Sequence, residues 1–380
     1  MRARKIIHLV KLYQIKAHLL CIFGRRNNIF LFRTTLTTIK DIAKKANVST
    51  GTVDRVIHNR PGVSEKTKIL VKKILEEHNF QINTIASTLA LNKSYKIAAL
   101  IPEASAKNEF WSEPKKGIEK ATEEIKNFRV STTFFLFNQF DNKSYLTAFK
   151  NLIKDEFDAV LVAPVFHKET IKLVEYLDKK NTPYIFINIE EKGLNALSFI
   201  GQDSFKSGYL AAKLMSVMIP DSSNIMIPVF RLNTGNYLSI TERISGFKSF
   251  FNDKKSDLEI KDLVIPDLEN TDGITKVLDE QFRDHIFGGI FVPSSNAYLI
   301  SKYLEASKRN NIRLIGYDTN QENINGLKND TIDFLICQNP YMQGFKGIKL
   351  LSDYLVMNKV PETSYHSPMT IVTKENIDSI

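Results

Sequence analysis

The chain has 380 residues, 43% of them hydrophobic and 25% charged. That composition belongs to folded globular domains, two or three at this length, and excludes a fibrous or disordered chain. Two cysteines, Cys21 and Cys337, cannot build a disulfide scaffold or a multi-cysteine zinc site, and no uncharged apolar run reaches the roughly 20 residues that cross a bilayer.

The net charge of +10 is unevenly spread. Residues 1–36 hold eight Lys/Arg and no acid, residues 37–96 hold eleven against five, and the remainder holds 33 against 37. A basic front before a mildly acidic body points to a polyanion partner for the front end, nucleic acid first.

Residues 1–36 read as a disordered basic leader and are set apart from the fold. From 37 to 80 the pattern predicts a small all-α domain. Thr38 caps a first helix with Asp41 reaching back, and Ile39, Ile42, Ala43 and Ala46 share its inner face. After a turn at Asn47-Val48, Ser49 caps a short helix, Thr50–Ile57, with Val53, Val56 and Ile57 inward. Asn59-Arg60-Pro61-Gly62 is a loop, and Ser64 caps a third helix over Glu65–His78 with an apolar stripe of Leu70, Val71, Ile74 and Leu75. A tight turn between the first two helices makes a helix-turn-helix, whose second helix enters the major groove. Thr50, Gly51, Asp54 and Arg55 face outward, Arg55 suits a guanine edge, and Thr50 and Thr52 suit phosphates or bases. The bland alternative is a three-helix bundle with a solvated basic face.

From Tyr95 onward, short apolar runs alternate with amphipathic stretches. Strands are predicted at Lys96–Ile101, Val130–Phe137, Asp158–Ala163, Tyr184–Asn188, Asn224–Val229, Glu259–Ile265, Gly289–Val292, Arg313–Tyr317 and Thr331–Cys337. Helices are predicted at Gly117–Ile125, Lys168–Lys179, Ser204–Val217, Ile240–Phe251, Asn296–Lys308 and Tyr341–Leu355. Alternation of this kind gives doubly wound parallel sheets, and so many strands suit two lobes. Nothing argues catalysis: there is no strong Gly-rich phosphate loop, no Gly-x-Ser-x-Gly elbow and no metal spacing among seven histidines. The chain is therefore read as no enzyme, with no cofactor and no metal.

The stretch TIKDIAKKANVSTGTVDRVIHNRPGVSEKTKILVKKILEEHNFQINTIASTLA resembles the head of the lactose/galactose (LacI/GalR) repressor family of bacterial transcription factors. The likeness runs ungapped over about fifty residues, with one departure: Asp54 stands where the family usually has a small residue. The resemblance implies a DNA-reading set of Thr38, Ser49, Thr50, Gly51, Thr52, Asp54, Arg55 and Asn59. It also implies a hinge helix within 81–92, capped by Asn83, with Ala86 and Leu89 at the family's alanine and leucine positions; the leucine is a minor-groove wedge. Paired hinge helices imply a homodimer on operator DNA.

For residues 93–380 the family implies a type I periplasmic-binding-protein-like domain, with two lobes clamping a small effector and three chain crossings as the hinge. Lobe one is expected over about 97–201 with 319–337, and lobe two over about 202–318 with 338–380. Ligands in such sheets sit beyond the carboxyl ends of the strands. That places Phe110 and Trp111, Asp141, Asn188, Ser295, Asp318 and Gln338 as candidates, with Arg243 at the family's hydroxyl-binding arginine and Gln202-Asp203 at a crossing. Each has a plainer reading: Arg243 as a surface ion pair, Asp318 as a helix cap, Trp111 as rim packing. Pro293-Ser294-Ser295-Asn296 and Asn188 depart from the family's usual carboxylates. The expectation is a cytoplasmic, sugar-sensing repressor; the rival is a solute-binding protein of a transport system.

Overall fold

The computed structural model describes residues 38–57, 60–78, 93–105, 109–230, 238–265 and 270–379. The chain divides into two compact units, residues 1–83 and 84–380.

The first unit holds α1 (Ile39–Ala46), α2 (Thr50–Ile57) and α3 (Glu65–Glu77). A capping box starts α1: Asp41 N–H donates to Thr38 Oγ1 at 3.3 Å, and Thr38 N–H donates to the Asp41 carboxylate at 2.8 Å. Asn47 ends α1 in the left-handed region at φ 53°, where asparagine is tolerated, and this lets the chain turn at once into α2. Ser49 then accepts from Thr52 N–H at 3.1 Å, and Ser64 accepts from Thr67 N–H at 3.3 Å. Ile42, Ala43, Ala46, Val53, Val56, Val71 and Ile74 close the core, with Leu75 against it. Leu70 departs from the expected stripe: it is 46% exposed, because at its turn of α3 the core is already filled by Val71 and Ile74.

The second unit has two six-stranded sheets. In chain order its elements are β1 (Tyr95–Pro102), α4 (Ser112–Ile125), β2 (Val130–Phe137), α5 (Asn142–Leu152), β3 (Ala159–Val162), α6 (His167–Lys179), β4 (Tyr184–Ile187) and β5 (Ser198–Gly201). There follow α7 (Ser204–Met218), β6 (Asn224–Phe230), α8 (Leu238–Asp253), β7 (Ile260–Ile265), α9 (Thr271–Asp284), β8 (Phe287–Phe291), α10 (Ala297–Ala306), β9 (Arg313–Tyr317), α11 (Gln321–Lys328), β10 (Phe334–Cys337), α12 (Pro340–Met357), β11 (Ser364–His366) and β12 (Thr370–Val372).

The first sheet has the order β11-β5-β4-β3-β1-β2 and the second β12-β10-β9-β8-β6-β7. All pairings are parallel except β10 with β12. Central strands such as β3, all four residues buried, are apolar throughout because helices cover both faces.

The lobes exchange their last pieces relative to expectation. Residues 319–337 belong to lobe two, since β10 pairs with β9. Helix α12 belongs to lobe one, where it lies on α4, and β11 extends lobe one beside β5. The physical reason is close packing. Gly117 of α4 and Gly344 of α12 let the two backbones touch, and a Cβ at either would fall inside the other helix's backbone. The chain thus crosses between lobes at 201–204, 337–340 and 366–370. Strand Thr331–Cys337 was expected to cross; its strand portion stays within lobe two and the crossing follows it.

Candidate functional site

In the first unit the second helix presents its outer face as expected: Thr50, Gly51 and Arg55 are exposed, and Thr52 and Asp54 are half-buried. Asp54 forms an ion pair with Arg60 at 3.3 Å, which ties the recognition helix to the following loop. Thr38 and Ser49 are both committed to helix caps, so their hydroxyls sit at the amino ends of α1 and α2. Asn59, Asn83, Ala86 and Leu89, and with them the expected hinge helix, lie outside the described residues.

In the second unit three of the candidates meet. Arg243 on α8 is 4% exposed, donates to Pro293 C=O at 3.0 Å and hydrogen-bonds Gln338 Oε1. Gln338, at the second crossing, donates through Nε2 to both carboxylate oxygens of Asp318 at 2.9 Å. One side chain therefore couples the cation to the anion. Arg243 is held there because Gly208 of α7 and Gly246 of α8 bring those helices into backbone contact. Its guanidinium stacks over the Tyr317 ring at 4.0 Å, and the Tyr317 hydroxyl is within 2.9 Å of Ser207 Oγ on α7. Burial pushes the Asp318 carboxyl up to about 6, against the opposing pull of Arg243 and Gln338. Arg243 Nε is buried without a partner.

A cavity of about 250 Å³ opens between the lobes; it meets this network through chain neighbours, Glu242 preceding Arg243 and Gln202 bonding the carbonyl that precedes Gln338. Lobe one lines it with Glu190 and Lys192, lobe two with Ser239 and Glu242, and the first crossing with Gln202. Lys192 and Glu242 face each other across the lobes at 3.7 Å. Gln202 is 3% exposed; it donates to Cys337 C=O at 3.3 Å, and its own Oε1 has no partner. Unpaired buried groups of this kind are costly and mark places that accept a ligand or water.

The other candidates lie at strand ends without joining the network. Ser295 is half-buried after β8, its carbonyl accepting from Asn320 and Asn323. Asn188 follows β4 with φ 69°, and its N–H donates to Ile200 C=O. Asp141 is exposed and caps α5 through Lys143 N–H at 2.9 Å; it was expected to face Arg243, and its cap role accounts for it instead. Trp111 is corrected too: it is 3% exposed within the lobe-one core, with its indole N–H donating to Gln139. It packs the rim and presents no free ring face, while Phe110 meets it edge-on and stays half-buried.

The sequence reading left Tyr317, Ser239, Glu242 and the pair His167–Glu191 out of the site. His167 Nδ1 lies 2.7 Å from Glu191 Oε2 at the carboxyl ends of β3 and β4. Burial raises the Glu191 carboxyl, opposed by His167. Among the described residues no group of His, Cys, Asp and Glu is arranged to hold a metal ion, and no helix is long and apolar enough to cross a membrane.

A helix-turn-helix unit followed by a two-lobe fold with a polar, cavity-lined junction defines the class of effector-domain DNA-binding regulators. Comparison with known proteins agrees. The model for "bacterial regulatory proteins, lacI family" matches residues 38–83, and the "periplasmic binding protein domain" matches 98–359. The chain belongs to the lacI family of bacterial regulatory proteins and is a DNA-binding transcriptional regulator.

It is 29% identical over 178 residues to the transcriptional regulator DegA of Bacillus subtilis (strain 168), spanning 47% of this chain and 51% of that protein. It is 23% identical over 290 residues to the transcriptional repressor PurR of Klebsiella pneumoniae (strain ATCC 700721 / MGH 78578), covering 74% of this chain and 81% of that one. A solved structure of a putative LacI transcriptional regulator from Bacteroides fragilis superposes with a TM-score of 0.69 at 29% identity. It covers 76% of this chain and all of that one. The lacI-type head sets aside the transport-protein reading.

Proposed function

We propose that the regulator is a cytoplasmic homodimeric repressor, not an enzyme. Its operator affinity is set by a small hydroxyl-rich effector, a sugar or sugar derivative, held between the lobes. The observation that carries this is the buried Arg243–Gln338–Asp318 network, joined through Gln202 and the Cys337 carbonyl to a cavity that both lobes line. A paired cation and carboxylate offer donors and acceptors at fixed geometry, the chemistry that hydroxyl groups match from both sides. A ligand touching both lobes stabilises one relative arrangement over others, and only such differential contacts shift the coupled DNA affinity. Asp318 and Ser295 are assigned as effector contacts on lobe two, Gln202 as the contact at the crossing.

Thermal-shift screening against monosaccharides, their phosphates and polyols tests the reading, because a ligand of the folded state raises stability by mass action. A sugar that raises the melting temperature and changes operator binding in a gel shift supports it. A response restricted to non-hydroxylated compounds refutes the effector class.

A further inference from the structure

We infer that Asn323 is the positioning residue of the cleft: its buried amide clamps the two loops of lobe two that carry Asp318 and Ser295. This rests on the proposed roles of those two residues as effector contacts.

Asn323 is fully buried, on the first turn of α11. Its Nδ2 donates to Tyr317 C=O at 2.9 Å, Asp318 C=O at 3.0 Å and Ser295 C=O at 3.0 Å, two hydrogens shared among three acceptors. Its Oδ1 accepts from Tyr298 N–H at 2.8 Å, on the first turn of α10. One side chain thus joins the end of β9, the loop after β8 and the start of α10. Asn320 reinforces it, capping α11 by accepting from Asn323 N–H and donating to Ser295 C=O, both at 2.9 Å.

The clamp has something to hold. Asp318 sits at φ 64°, a left-handed conformation that an aspartate adopts at some cost unless its surroundings fix it. Its carboxylate accepts from Gln338 Nε2 on both oxygens and keeps a small exposed edge, 7% of the residue. Two of the three carbonyls gripped by Asn323 are those of Asp318 and the residue before it. Only asparagine, or glutamine with one more methylene, supplies two donors and an acceptor without charge here. Aspartate would set a carboxylate against three carbonyls, and leucine would leave all three unpaired.

The test needs no effector. A buried Asp318 held up at about 6 makes the native state less favourable as pH rises from 4 to 7, and Asp318→Asn removes that dependence. Beside the Arg243 guanidinium, the titratable groups around it are Tyr317, which is pushed up to about 12, and Cys337, which burial raises; neither titrates in this window. The urea midpoint is measured at pH 4 and pH 7 for wild type, Asp318→Asn, Asn323→Ala and the double variant. In the wild-type background the gap between Asp318→Asn and its parent widens toward pH 7. In the Asn323→Ala background the gap flattens, because Asp318 relaxes toward water. A gap that widens equally in both backgrounds means that Asn323 only supports the fold, and overturns the inference. Asn323→Ser, with one hydroxyl donor, carries the same comparison if Asn323→Ala does not fold. The effector reading fails separately, if Asp318→Asn binds effector as wild type does.

Discussion

Truncating Arg243 to alanine removes a guanidinium that is 4% exposed, together with its bonds to Pro293 and Gln338 and its stack on Tyr317. It leaves the Asp318 carboxylate buried with Gln338 as its remaining donor and without the nearby cation that lowers it. Deleting one side of a buried, hydrogen-bonded charge pair costs about 3–5 kcal/mol, or a fall in melting temperature of roughly 5–8 °C for a unit the size of residues 84–380. The loss must also depend on pH. Without Arg243 the Asp318 carboxyl rises further above 6, so acidification neutralises the orphaned charge and the deficit shrinks toward pH 5. Urea unfolding of wild type and Arg243→Ala from pH 5 to pH 8 measures both quantities. Operator binding is retained, since the helix-turn-helix core contains no part of this network, while the effector response is lost. A loss below about 1 kcal/mol, the size typical of exposed ion pairs, would refute the buried-pair reasoning. So would a deficit that is flat with pH.

Asp318→Asn gains stability relative to wild type as pH rises from about 4 to about 6, because it removes a carboxylate whose charged form burial disfavours. The gain is fully present above pH 6 and vanishes below pH 4, where folded and unfolded states are both protonated; denaturant midpoints across that range check it. Arg55→Ala costs about 1–3 kcal/mol of operator affinity and relaxes one base position, read by a binding-site selection experiment. A uniform loss across all sequences would instead assign Arg55 to phosphate.

Much of the fold was legible because it is written in local chemistry. The strands β1, β3, β4, β6 and β9 are apolar runs of the kind that buried parallel strands use, and the edge strand β2 is marked by its branched and aromatic residues. Strands β5, β11 and β12 went unread: three or four residues long, they take their identity from a neighbour that supplies hydrogen bonds. Helices α5, α9 and α11 were missed as well. The placement of α12 in lobe one was beyond reach for the same reason, since packing on α4 more than two hundred residues earlier leaves no local mark; β10 pairs with the nearby β9 and was misassigned by the expected crossing order.

At the site, the family resemblance brought Arg243, Asp318 and Gln338 together. Asn323 could not be found that way, because an asparagine in Asn320-Gln321-Glu322-Asn323 reads as turn chemistry until its three carbonyl partners are seen. Trp111 misled through the general habit of indoles to line sugar sites, when its own N–H had a partner in Gln139.

The exchanged helix also governs how the chain emerges from the ribosome. Five of the six strands of lobe one are made by Gly201, but α12, which covers β1, β3, β4 and β5 from one side, begins only at Pro340, and β11 follows it. At about 5–20 residues per second, the roughly 140 residues between them take on the order of 10 s to appear. Throughout that interval the face later sealed by Ile348 and Leu351 lies open on the nascent chain. The first lobe cannot finish before all of the second but its edge strand β12 has been made, so vectorial synthesis gives it no head start. During translation a naked sheet face of this kind becomes a natural client for chaperones and the point at which aggregation competes with folding.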